Sequence, residues 1–370
     1  MIIRFLTQDD VAEHDRVTSQ AFSYACKIGD PESALPCEKV LGVFDDDNKT
    51  LFAEFELLEK KCYYDGGFLT CAAVGGVAAK PEHRGKGAVK ALFAHLFETA
   101  GYDISILYPF SENYYRRLGY ERAGRSISAR IPFSELSEIR RNTDVTLYEG
   151  NNAEKLLSIY NKCAQNYNLC FARGDTEAFS SMPYSSQKYT YLWKDGAYVT
   201  FKIDRKEGVV SVSELYFDSR DSMLGILGFL RNFESNQKTI HFHKLPDRTP
   251  LLSVIREMKN CEIRIHSLGA VSVLQMENVL RQHKYPVKEG SFTMQAGDDL
   301  YAVRISGGEV AVKKDPSLTP DVITDIGTAS RIVLCGIEDE AYQPNITITN
   351  PRTDFFDMFP PKVSFFSDPI

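Results

Sequence analysis

The chain has 370 residues and a mass of 41.8 kDa, more than one hydrophobic core usually organises, so two or three domains are expected. Hydrophobic residues at 43% and charged residues at 25% give an ordinary globular balance that excludes disordered and fibrous classes. A net charge of -7 and a pI near 5.6 argue against a nucleic-acid surface, which would show clustered Lys and Arg. No run approaches the roughly 20 apolar residues of a membrane helix, and MIIRFLTQDD is not a signal sequence, so a cytoplasmic protein without a membrane partner is expected. Eight cysteines with no C-x-x-C pair read as free thiols, and no metal is assigned.

In chain order, the pattern predicts a strand over 2–6, a helix opening near Asp9 or Asp10, and strands over 40–44 and 51–58. Asp45, Asp46, Asp47 and Asn48 supply the turn between those two strands. A strand of small apolar residues follows over 68–79, where Gly75-Gly76 predicts a bulge or a close approach of another backbone. After Pro81 the period changes to 3.6: Val89, Leu92, Phe93, Leu96, Phe97 and Ala100 line one face of an amphipathic helix. A strand over 103–110 comes next, then a short helix capped by Ser111, carrying Tyr114 and Tyr115 and closed by Gly119. A strand from Tyr120 toward Ile131 ends a first domain, 1–130.

A second domain, 131–268, repeats the strand-then-helix order, with a hairpin at Asp195-Gly196, a strand over 209–217 and a helix over 222–233. Its junction, 218–222, has no basic glycine loop, so it reads as a relative of the first domain that lacks a cofactor site. From 269 a helix over 276–283 and short strands over 292–296, 301–306 and 309–313 follow, with Gly307-Gly308 as a hairpin turn. The tail, 357–370, is rich in proline and aromatic residues and is predicted to pack against the rest of the protein.

The chemistry is concentrated at 77–90. Backbone amides at a helix N-terminus are unpaired and carry partial positive charge; glycines let them close around a pyrophosphate, and Arg84, Lys86 and Lys90 add charge. Neither G-x-x-x-x-G-K-[ST] nor G-x-G-x-x-G is present, so the two common nucleotide loops are excluded. His83, beside the loop, is read as a phosphate or solvent contact. His241 and His243 share a strand face, without a third ligand.

Arg84, Gly87 and Val89, in this strand-loop-helix setting, resemble the cofactor loop of the GCN5-related N-acetyltransferases. The segment Ser111, Tyr115, Gly119 and Tyr120 resembles, more closely, the enhanced intracellular survival (Eis) branch of that superfamily. The resemblance implies an α/β (α+β) fold: two tandem GNAT-type domains with central mixed sheets, then a sterol-carrier-like α+β domain at 269–370. It implies an acetyl-CoA site at Val77, Ala78, Ala79, Arg84, Gly85, Lys86, Gly87, Ala88, Val89, Lys90 and Ser111, with Tyr115 as general acid. A phenol of pKa about 10 stays protonated at neutral pH yet can protonate a departing thiolate. The resemblance further implies a tail that reaches the first domain, with the carboxylate of Ile370 as the base, and a homo-oligomer, a hexamer in the family. The acceptor is then an amine of a small polyamine or aminoglycoside-like molecule, or of a lysine, lined by residues near 22–37 and by the tail. A non-catalytic carrier of acetyl-CoA or of a lipid is the alternative.

Overall fold

The computed structural model describes residues 1–23, 28–29, 37–99, 101–183, 188–338, 345–368 and 370. Strand β1 (Ile2–Phe5) leads through a short 3-10 turn into α1 (Val11–Phe22), and Arg4 is held to Asp10 at 2.7 Å across that turn. Strands β2 (Val40–Phe44) and β3 (Leu51–Tyr64) form the predicted hairpin, and β4 (Gly67–Ala79) pairs antiparallel with β3. β3 runs six residues beyond the expected end at Leu58, because its hairpin with β4 projects past the sheet to meet the rest of the molecule.

Helix α2 (Ala88–Thr99) crosses over so that β5 (Ile104–Leu107) lies parallel to β4. It buries Leu92, Phe93 and Leu96 against Phe55, Val74 and Tyr115, as the 3.6 period requires. The residue at 100, expected on the same face, lies outside the described residues. Strand β5 is shorter than the expected 103–110, and 108–111 form a loop into α3 (Glu112–Arg116).

The expected strand from Tyr120 to Ile131 is two strands in two sheets. β6 (Glu121–Arg122) stays in the first sheet, whereas β7 (Arg125–Pro132) enters the second, so the expected boundary at 130 falls inside β7. The second sheet is built from β8 (Thr146–Leu147), helix α4 (Ala153–Ala164), β9 (Tyr189–Trp193), β10 (Ala197–Asp204), β11 (Val209–Phe217), helix α5 (Arg220–Leu230), β12 (Thr239–Pro246) and β13 (Glu262–Ser267). Then β14 (Ala270–Val273) returns to the first sheet and pairs with both β5 and β6. The two sheets therefore run β1-β2-β3-β4-β5-β14-β6 and β13-β7-β12-β11-β10-β9-β8. The second sheet uses only the consecutive strands β7 to β13, and the first is completed by β14 from beyond them, so the two units follow one another in tandem and are tied by that returning strand.

The third unit comprises α6 (Met276–Gln282), β15 (Glu289–Ala296), β16 (Asp299–Ser306), β17 (Glu309–Lys314), β18 (Val322–Thr324), α7 (Ile326–Cys335) and β19 (Ile346–Ile348), with sheet order β17-β16-β15-β18-β19. Its interior is filled by Phe292, Met294, Val333, Phe355 and Phe359. The tail packs as the sequence suggested: Phe365 and Phe366 are buried, and Phe366 meets Tyr108 and Phe171, one from each of the first two units. No described helix is long and apolar enough to cross a membrane.

Candidate active site

The site starts from a break in sheet regularity. β4 and β5 pair only over 71–74 and 104–107, so beyond Val74 and Leu107 the two strands separate and leave a wedge between their ends. On its other edge β4 carries a bulge: Glu54 faces Ala78 and Glu56 faces Gly75, so Gly76 and Val77 together stand opposite Phe55. The bulge re-aims the main chain at Val77, the first residue of the expected acetyl-CoA site. Ala78 is buried under α1 and Ala79 pairs with Ala53, so these two hold the strand in place.

Past Ala79 the chain turns through Pro81–His83 into the loop Arg84-Gly85-Lys86-Gly87, all four exposed, and then into α2 at Ala88. The first main-chain bond of the helix runs from Ala91 N–H to Gly87 C=O at 2.9 Å, so the N–H groups of Gly87, Ala88, Val89 and Lys90 have no intrahelical acceptor. Gly85 and Gly87 have φ of +77° and +84°, and an added Cβ at either would meet nothing within 4 Å. The loop is thus an open cradle of amides at a helix N-terminus, flanked by the cations of Arg84, Lys86 and Lys90, and it fits a pyrophosphate. Beside it, His83 stacks on Phe52 at 4.0 Å and takes a 3.4 Å contact from Lys86.

Tyr115 comes to the wedge on α3. Ser111 is the N-cap of that helix, its Oγ accepting from Tyr114 N–H at 3.4 Å, so its side chain serves the helix that carries the tyrosine. The Tyr115 ring is 2% exposed and boxed edge-on by Phe93, Phe110, Tyr114 and Tyr120, at centroid distances of 5.3–6.1 Å. Its hydroxyl makes no hydrogen bond among the described residues. Burial pushes the phenol pKa up, which keeps the proton on oxygen at neutral pH.

The tail arrives on β4 at Gly75. A Cβ on Gly75 would lie 2.7 Å from the main-chain carbon of Ile370 and 2.9 Å from its oxygen, so only glycine admits this approach. Two residues earlier, Asp368 takes hydrogen bonds at Oδ1 from Arg173 Nε (2.9 Å) and Nη2 (2.7 Å), at Oδ2 from Tyr160 (2.8 Å), and at its carbonyl from Tyr108 (3.0 Å). Arg173 also holds Glu214 at 2.7 Å and stacks over Tyr160 at 3.7 Å. These residues lie where the three units meet, around a cleft of about 1270 Å³ bounded by Tyr63, Phe68, Arg173, Glu214 and Asp368. Of the stretch 22–37 expected to line the acceptor, 24–27 and 30–36 lie outside the described residues.

The residues missed in the sequence are His14, Glu54 and Glu56 on α1 and β3, and Arg173, Glu214 and Asp368. The first three carried a faint signal, since Glu54 and Glu56 alternate with Phe55 and Leu57 and so read as a solvated strand face. In the structure that face is covered by α1, and His14 Nδ1 lies 3.0 Å from Glu54 Oε2.

The second unit repeats the architecture without the cradle. β11 and β12 pair in parallel over 209–212 and 239–242 and then separate, and α5 follows β11 as α2 follows β4. At the head of α5, however, Ser219 and Ser222 form a capping box and Ser222 donates to Asp218 at 2.8 Å, so serine oxygens and a carboxylate occupy the anion position. Among the described residues no group of His, Cys, Asp and Glu could hold a metal ion; His241 and His243 pack with tilted rings 4.3 Å apart, and His243 meets Ser211 at 2.6 Å.

Residues 3–123 match the family model described as an acetyltransferase (GNAT) domain, and the first unit is such a domain. Over its whole length the chain has the fold of Eis-type proteins. It is similar to Eis1 from Mycobacterium abscessus (19% identity, TM-score 0.83, 100% of both chains) and to a GCN5-related N-acetyltransferase from Anabaena variabilis (18%, 0.84, 100% of both). It is likewise similar to a conserved protein from Enterococcus faecalis described as a probable N-acyltransferase (16%, 0.82, 100% of this chain and 99% of that one). No curated protein matches the chain.

Proposed function

We propose that this protein transfers the acetyl group of acetyl-CoA directly to a primary amine of a small molecule or a lysine. The observation that carries the reading is the wedge beyond Val74 and Leu107, with the amide cradle at the head of α2 and with Tyr115 in the core cluster against which Val77 packs. Arg84, Gly85, Lys86, Gly87, Ala88, Val89 and Lys90 would hold the pyrophosphate, and Val77 to Ala79 would pair with the pantetheine arm as an exposed strand end. Bound there, acetyl-CoA supplies an activated thioester.

The chain's own residues do the rest. The Val77 N–H donates to the carbonyl oxygen as negative charge develops on it, which costs no reorganisation because the bulge fixes the donor. The neutral amine nitrogen forms the new bond to the carbonyl carbon, the carbon–sulfur bond breaks, Tyr115 gives its proton to the departing sulfur, and the proton that the nitrogen sheds leaves to solvent, from which Tyr115 is reprotonated. The main-chain oxygen of Ile370, on the acceptor face at Gly75, accepts a hydrogen bond from the incoming amine and orients it. The third unit is proposed to act as the scaffold that brings the tail to this position, and its sterol-carrier-like character rests on layout.

Tyr115→Phe keeps the ring box and removes only the hydroxyl. Release of CoA from acetyl-CoA in the presence of an amine panel is expected to fall about 100-fold in this variant, with acetyl-CoA affinity unchanged. Undiminished release would remove Tyr115 from the mechanism.

A further inference from the structure

We propose that the open face of the second sheet, where Arg130, His241, His243, Arg264 and His266 surround Ser128, binds a phosphate group, free or as the ester of a small molecule. The site lies on the unit that has no amide cradle and is independent of the acetyl-transfer reading above.

Alternation along the strands builds the site. Ile127, Ala129 and Ile131 of β7 and Ile240 and Phe242 of β12 share one core with Met223 and Ile226 of α5, so Ser128, Arg130, His241 and His243 point to the opposite face. Helix α4 covers that face at β10 and β11, where Tyr160 packs on Tyr216. At β12, β7 and β13 the same face is open, and Arg130, His243, Arg264 and His266 are exposed on it. The pairing brings the basic groups side by side: His241 and Glu262 face Arg130 from its two sides, and Arg264 faces Ser128. Together these side chains line a cavity of about 270 Å³, the size of a small ligand.

The charges call for an anion. Glu262 is paired with Arg264, and Arg130 makes no ion pair among the described residues, so two guanidinium groups share one carboxylate. Lys202, which faces Ser211 on the strand beyond β11, adds the same sign. The rings of His241 and His243 lie 4.3 Å apart; His243 Nε2 is 2.6 Å from Ser211 Oγ and His266 Nε2 is 2.9 Å from Ser128 Oγ, which orients both of those rings. His241 makes no hydrogen bond among the described residues, so its ring nitrogens are available to a ligand. Burial, then His243 and Arg130, hold the His241 pKa below its ordinary value against the opposing pull of Glu262, and burial and then Arg130 do the same for His243. At neutral pH the two rings are therefore neutral N–H donors in a field set by cations. A tetrahedral oxyanion takes charge-assisted hydrogen bonds from guanidinium forks and accepts from imidazole N–H groups. Its charge opposes the cations that help to keep the rings neutral, so binding draws protons onto them.

Calorimetry on the full chain with inorganic phosphate, glycerol 3-phosphate and sulfate tests the assignment. It is run in the Arg84→Ala, Lys86→Ala background, which removes the side-chain cations of the loop before α2, so that the heat belongs to the second sheet. Saturable binding is expected in that background, and adding Arg130→Gln is expected to weaken it at least tenfold and Arg264→Gln severalfold. The tighter of phosphate and its glycerol ester tells a free ion from an ester as the ligand. Sulfate does not titrate near neutrality, so a binding heat that changes with the ionisation enthalpy of the buffer reports protons taken up by the protein; that uptake is expected, and is expected to disappear when His241→Gln and His243→Gln are combined. Absence of saturable binding, equal binding after Arg130→Gln, or sulfate binding without proton uptake would overturn the assignment.

Discussion

Arg173 is the residue on which the seating of the tail depends most. Its side chain is 8% exposed and serves two carboxylates, Asp368 on the tail and Glu214 on β11, while lying flat on Tyr160. Removing the cation from such a group leaves two buried carboxylates facing one another, a change that typically costs about 3–5 kcal/mol. Arg173→Met is therefore expected to lower stability by an amount of that order, read as a drop in the denaturation midpoint. If its midpoint matches the wild type, the clamp does not hold the tail. Tyr115 and Ser111 could be found in the sequence because cap, ring and glycine stop lie within nine residues. Arg173 and Asp368 are 195 residues apart, and His14 and Glu54 are 40 apart, so no local pattern connects them.

At the scale of elements, the features with local causes came out where expected: the 45–48 turn, the 209–217 strand and the glycine-rich loop ahead of α2. What failed was continuity. Tyr120 to Ile131 looks like one strand because its apolar content hardly varies, yet the chain leaves the first sheet after β6 and enters the second as β7. The choice of sheet is made by which edge is free: β12 offers one to β7, and β5 is taken by β14, which arrives about 150 residues later. The second unit's lack of a phosphate loop was legible as missing glycines; that Ser219 and Asp218 fill the place was not. The separated ends of β11 and β12 also serve the tail, since Glu214 reaches it through Arg173 and Lys244 donates to Tyr108 at 3.2 Å.

For the whole molecule, the first sheet and the third unit are joined through a buried polar group. Lys362 donates to Asp65 at 2.6 Å and to His283 Nδ1 at 2.8 Å, and His283 Nε2 lies 2.9 Å from the carbonyl of Met358. With Nδ1 accepting, the ring is neutral and Nε2 carries the hydrogen. Burial, and then the Lys362 charge, push the His283 pKa down to about 4. The folded pKa lies below the unfolded value of about 6.5, so between these limits the unfolded chain binds more protons and stability rises with pH. Acidification from about pH 6.5 to pH 4 is thus expected to lower the thermal midpoint, and His283→Gln is expected to reduce that slope. An unaltered slope in the variant would assign the acid sensitivity to other groups.

The central claim is that the loop before α2 binds acetyl-CoA, and it is tested most directly by calorimetry with acetyl-CoA on the wild type and on the Arg84→Ala, Lys86→Ala double variant. Both side chains are exposed, so the substitutions leave the fold intact. The account predicts saturable binding by the wild type and at least a tenfold loss in the double variant. Absence of binding by the wild type, or equal binding by both, would contradict it.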